Sequence, residues 1–277
     1  SRKSLSSELF YPVKVATLHQ ILKTSLKGKG WELALYDYQN ELFIIDEFHT
    51  YNALLTGLLL SSIRLFRKLF NAKFFFMSAT IPDFMLDNII EKVFDGDKSK
   101  LIRPNPNFES NKYILGRKRH ILHCQENMTI NDKIPLIQQY LKKGTKVLII
   151  VNNVKTAQKI YSDIEIEDKT KVALLHSGFH KKSRTEIENK ITSENPPQLL
   201  IATQAVEVSL DIDYDVAFIE NAPIDALIQR LGRVNRAGKK GLAPIYLFEN
   251  IIGNTKFFYD QEILADTWKS LFKLNQQ

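Results

Sequence analysis

Residues 42–51 read LFIIDEFHTY. Four apolar residues, Leu42 to Ile45, run straight into two adjacent acids, Asp46 and Glu47, with His49 two positions further on. A short apolar run bounded in this way reads as a buried strand. Two carboxylates at its carboxyl end are costly unless something there needs negative charge. In open α/β sheets, ligands gather at the carboxyl ends of the strands. Residues 74–82, FFFMSATIP, repeat the plan: an apolar run over 74–77 ends in Ser78 and Thr80, hydroxyls that reach the same edge if the two strands pair. Between the runs, Leu55, Leu59, Ile63, Phe66 and Phe70 fall on one helical stripe, with Arg67 and Lys68 in the last turn, where cations suit the helix dipole. Strand, helix, strand predicts a parallel pair.

The rhythm continues along the chain. Further strands are expected over 13–18, 120–124, 147–151, 172–175, 199–202, 216–219 and 245–248, separated by helical stretches. The fold class is therefore α/β. Residues 102–113, IRPNPNFESNKY, carry two prolines and three asparagines with little periodicity. They divide the chain into a first domain over 1–101, a linker over 102–116 and a second domain over 117–277.

Composition narrows the functional classes. Of 277 residues, 38 are Lys or Arg and 31 Asp or Glu, and the net charge of +7 favours a polyanionic partner. No apolar run reaches the roughly 20 residues that span a bilayer; the stretch 53–70 is broken by Ser61, Ser62, Arg64, Arg67 and Lys68. The opening SRKSLSSELF is too polar for a secretory signal. One cysteine, Cys124, excludes an internal disulfide and predicts a reducing, cytoplasmic setting.

Asp46 and Glu47 in that order suit nucleotide hydrolysis. One carboxylate holds Mg²⁺ through water, and its neighbour orients and deprotonates the attacking water. Residues 221–241, NAPIDALIQRLGRVNRAGKKG, predict a helix opening at Pro223 and Asp225 and closing near Gly238. On such a helix Gln229, Arg233 and Arg236 share a face, and Leu227, Leu231 and Val234 lie opposite. Two outward arginines on a rigid helix are placed as arginine fingers. Arg230, about 100° round the helix, reads as a position tolerant of alanine. In residues 199–213, LLIATQAVEVSLDID, Thr203 ends a buried run and can bond a backbone phosphate, while Asp211 can reach a ribose hydroxyl or the arginine helix. No G-x-x-x-x-G-K-[ST] phosphate loop occurs. None of the six histidines stands beside an aspartate, as a His-Asp metal pair would need.

Taken in order, DEFH, SAT, VNNVKTAQKIY, LLHSGF, ATQAVEVSLDID and APIDALIQRLGRVNR resemble motifs II to VI of a superfamily 2 DExH helicase. VEVSLDID followed by APIDALIQRLGR resembles, more narrowly, the CRISPR-associated interference helicase of type I systems. VATLHQIL, from Val15, is similar to that family's TxxQ segment, whereas Gly178 stands where the family often has a basic residue.

The resemblance implies two RecA-like lobes, the first incomplete at its amino-terminal side. It implies ATP and Mg²⁺ between the lobes and single-stranded DNA across both. The parent would unwind target DNA after recruitment to an RNA-guided type I effector complex, with a nuclease domain fused or separate. Asp46 would hold Mg²⁺ through water and Glu47 would activate the attacking water. Gln229, Arg233 and Arg236 would meet the γ-phosphate, and Asp211 the nucleotide. His49, Ser78 and Thr80 would couple the sites, and Thr17, Asn152 and Thr203 would touch the DNA backbone. The missing phosphate loop is expected upstream of Ser1, so that residues 1–277 alone would hydrolyse ATP poorly. Two other readings stay open: a DExH helicase acting on RNA or in DNA repair, and a nucleic-acid-binding relic without ATPase activity.

Overall fold

The computed structural model describes residues 13–48, 51–78, 81–166, 168–207, 210–253 and 258–275, and the chain forms two compact units that divide between Asn105 and Pro106.

In the first unit, helices α1 (Leu18–Ser25) and α2 (Trp31–Asp37) precede strand β1 (Leu42–Asp46), helix α3 (Ala53–Phe70), strand β2 (Lys73–Met77) and helix α4 (Asp83–Phe94). The strand expected over 13–18 is absent, and Leu18 instead opens α1. The reason is local. Thr17 and Gln20 form a capping box, with the Thr17 N–H donating to Gln20 Oε1 at 2.7 Å. Leu18 and Leu22, four residues apart, then fall on one buried face. Strands β1 and β2 pair in parallel, with Asp46 opposite Met77. One face of the pair packs Ile45 and Phe74 on Leu59, Ile63 and Phe66 of α3. Its other face leaves Leu42, Ile44, Phe75 and Met77 exposed. The stripe foreseen for α3 is the one it buries, capped at its start by Asn52, whose side chain accepts the Leu55 N–H at 2.9 Å.

The segment between the domains is not wholly irregular, since it contains helix α5 (Glu109–Leu115). The second unit is a six-stranded sheet of β3 (His120–Gln125), β4 (Val147–Ile150), β5 (Val172–Leu175), β6 (Leu199–Ala202), β7 (Val216–Glu220) and β8 (Ala243–Phe248). Its order is β3-β8-β7-β4-β6-β5, and every pairing is parallel. Helices α6 (Ile134–Lys142), α7 (Val154–Asp163), α8 (Lys181–Ile191), α9 (Ile224–Leu231) and α10 (Gln261–Asn275) follow strands in the chain. Apolar side chains alternate along the central strands between two cores. Leu148, Ile150, Leu200 and Ile219 face one, and Val147, Ile149, Ile201 and Phe218 the other. Strands β4, β6 and β7 are buried throughout, as expected for a parallel sheet covered on both sides. Because all six strands run the same way, their carboxyl ends share one edge, which Asn152, His176, Thr203, Asn221 and Glu249 follow.

Candidate functional site

In the first unit, the acids and the hydroxyl foreseen at the sheet edge do meet there. Asp46 ends β1 and Ser78 directly follows β2, its paired neighbour. Glu47 takes a left-handed backbone, φ 50°, and its N–H is shared between Met77 O and Asp46 Oδ1, both at 3.0 Å. A non-glycine residue held there costs energy that the ladder must supply, a pattern concentrated at functional sites. Both acids are exposed, and among the described residues Asp46 has no ion-pair partner. Mg²⁺ usually keeps several waters and takes one or two protein carboxylates plus phosphate oxygens. An exposed, cation-free aspartate fits that demand. The described residues contain no cluster of three metal-ligating side chains. His49 and Thr80 lie outside the described residues. Thr17 is exposed as the cap of α1.

In the second unit, the helix expected to run to Gly238 stops at Leu231, with Gly232 as its cap. The chain beyond turns sideways. Tyr214 and Val234 form an isolated parallel bridge: the Tyr214 N–H donates to Arg233 O, and the Asn235 N–H to Tyr214 O. Gln229, Arg233 and Arg236 therefore do not share one helical face. Gln229 is half-buried on α9. Arg233 turns inward and donates to the carbonyls of Leu210 and Glu207, the latter at 2.6 Å, so it is not an outward finger in this structure. Arg236 is the exposed arginine. Its guanidinium pairs with Asp211 at 3.1 Å and its N–H donates to Asp213 Oδ1 at 2.8 Å. Asp211 thus lies against the arginine segment.

Arg230, read as tolerant, is the largest fully buried side chain among the described residues. Its Nε donates to Glu207 Oε1 at 2.8 Å, and Nη2 to Asn152 Oδ1 at 2.9 Å. Asn152 also donates from Nδ2 to Asn221 O at 2.8 Å. Its amide, foreseen as a DNA contact, thus serves the interior at both ends. Thr203 keeps its place at the carboxyl end of β6 but is 2% exposed, its N–H bonded to Leu175 O at 3.0 Å. Beside this cluster, burial raises the Glu207 carboxyl against the pull of Arg230. Burial pushes Glu220 up to about 7, although its oxygens accept the N–H groups of Asn152 and Ile252 at 2.7 and 2.9 Å. Spacing held the signal for Arg230. It stands four residues after Ala226 and three after Leu227, both buried. A cleft of about 700 Å³ opens where β7 and β8 end against α10, lined in part by Asn221, Asn250 and Trp268.

Comparison with known proteins agrees with the motif order. Residues 143–239 match the family model described as CRISPR-associated nuclease/helicase Cas3, C-terminal. A CRISPR-associated nuclease/helicase Cas3 of Streptococcus thermophilus is 30% identical over 254 residues, covering 80% of this chain and 27% of that protein. Among solved structures, T. fusca Cas3 with ADP superposes with a TM-score of 0.74 at 21% identity, covering 94% of this chain and 36% of that one. A chain of a CRISPR RNA-guided surveillance complex, pre-nicking, gives a TM-score of 0.69 at 20% identity, with 92% and 38% covered. These likenesses carry the fold, that of RecA-like lobes. The chain spans about a third of the length of the curated relatives it matches. Through its ordered motifs, its parallel sheets and these relatives, the chain belongs to the Cas3 family of CRISPR-associated superfamily 2 helicases.

Proposed function

We propose that this chain is the motor portion of an ATP-driven DNA helicase that opens target DNA in CRISPR interference, working with an RNA-guided type I effector complex and a nuclease domain. The observation that carries the reading is the Asp46–Glu47 pair, raised at the carboxyl end of one parallel strand beside Ser78. Asp46 would hold a hydrated Mg²⁺, and Glu47 would take a proton from the attacking water. A metal held there would supply neutralisation of phosphate charge. In the second unit, Arg236 is the cation available to the charge that builds on the γ-phosphate, with Asp211 keeping it in place until nucleotide arrives. Arg233 supports that segment by bonding the carbonyls of the loop that carries Asp211. Ser78 with Thr80 and His49 couples hydrolysis to the nucleic acid. Thr17, exposed as the cap of α1, is the candidate DNA contact.

Glu47→Gln in the full-length parent tests this. The amide keeps the shape of the side chain but is not a base. Single-stranded-DNA-stimulated hydrolysis should fall by about 10²–10⁴-fold, while ATP still binds. Turnover within a few-fold of wild type would remove Glu47 from its role. Stimulation that requires a 2′-hydroxyl would move the substrate from DNA to RNA.

A further inference from the structure

Helix α9 ends at Leu231, so it does not carry Arg236, five residues further on. Another part of the chain has to hold that arginine in place. Asn235 is fully buried and takes a left-handed backbone, φ 45°, which asparagine tolerates better than most residues. Its polar groups are all engaged. Nδ2 donates to Gly241 O at 2.7 Å and to Arg119 O at 3.1 Å, and Oδ1 accepts the Lys240 N–H at 3.2 Å. Its own N–H donates to Tyr214 O at 2.9 Å, and its carbonyl accepts the Gly238 N–H at 2.8 Å. One residue therefore closes the loop of residues 235–241 and ties it to the lead-ins of β3, β8 and β7, which are neighbours in the sheet.

The hold continues into Arg236 itself. Its N–H donates to Asp213 Oδ1 at 2.8 Å, and its carbonyl accepts from Arg119 Nη1 at 3.3 Å. The peptide groups on both sides of Arg236 are thus fixed, while its guanidinium faces solvent against Asp211. A turn that merely joined α9 to β8 would need only a glycine at the left-handed position. An asparagine whose side chain is spent on other strands does more: it fixes where the next residue starts.

We infer that Asn235, assisted by Arg119, is a positioning residue that mounts Arg236 on the edge where the strands begin and so sets where its guanidinium stands during phosphoryl transfer. The inference rests on the function proposed above. Asn235, being fully buried, meets no substrate. It acts through Arg236 alone, by keeping the root of that side chain in one place before nucleotide arrives.

The test is Asn235→Gly in the full-length parent, with ATPase, ATP affinity and melting temperature measured beside Arg236→Ala and the double variant. Glycine accepts the left-handed backbone, so the substitution removes the side-chain bonds without adding strain. The expected fall in kcat is about tenfold, short of the roughly 10²-fold that a misplacement of about 1 Å can cost. ATP affinity should stay within about twofold of wild type. In the double variant the losses should not add: Asn235→Gly should lower the turnover of Arg236→Ala by less than about twofold, because both act on one group. An unchanged kcat, a matching loss of ATP affinity, or a full second loss on top of Arg236→Ala overturns the inference. Should Asn235→Gly not fold, Arg119→Met keeps the stem and drops the bond to the Arg236 carbonyl. It is expected to lower kcat about twofold to threefold, and no change would likewise overturn the inference. Full turnover in Arg236→Ala would instead defeat the underlying function.

Discussion

Arg230 and Arg236 stand six residues apart, yet one is sealed in the interior and the other faces solvent. Their substitutions should therefore fail in different ways. In the full-length parent, Arg236→Ala should slow ATP turnover by about 10³-fold and leave ATP binding nearly intact, with exposed Lys239→Ala as the neutral control. Arg230→Ala should act on the fold, since it strands Glu207 in the interior. A loss of about 3–5 kcal/mol is expected in denaturant titration. Glu220 adds a pH signature. Its folded value, about 7, lies above its ordinary 4.5, so its protonated form favours the fold. That stability is complete below about pH 4.5 and is lost as pH rises through about 7. Melting temperature should fall between pH 5 and 8 more steeply for wild type than for Glu220→Gln; parallel curves would contradict the assignment. Asp46, Glu47 and Ser78 were legible because an apolar run that stops in polar residues marks a strand end in one dimension. Asn152 and Glu207 were not, because their partners lie 78 and 23 residues away on other elements.

The strands were the most legible elements. An all-apolar run such as 147–151 has no solvent face to present, and Val147 to Ile150 are indeed buried on both sides. Two readings failed where local chemistry outweighed pattern. Around residue 18, a polar capping box set the chain helical. After residue 231, the bridge between Tyr214 and Val234 drew backbone donors away from the helix. Capping is also where an element can be tested alone. Asn52 holds the first turn of α3, so Asn52→Ala should cost about 1 kcal/mol of stability. Asn52→Asp keeps an acceptor for the Leu55 N–H and should restore it. Equal loss in both variants by thermal denaturation would mean that the cap contributes little.

Over the molecule as a whole, the excess of cations foretells how it meets a polyanion. Single-strand affinity should fall linearly in log salt, with a slope of about −0.7 per phosphate neutralised, and should vary little with base sequence. Binding that is flat between low and high salt would refute an electrostatic contact. The strand order carries a separate consequence, for synthesis. Strand β3 is complete at Gln125, but the strand it pairs with, β8, begins only at Ala243. At ribosomal speeds of about 5–20 residues per second, β3 waits roughly 6–25 s for its ladder. Closing so long a loop places this unit among slow, high-contact-order folders. Until then, the nascent chain carries an unzipped edge that a chaperone or a like chain can capture.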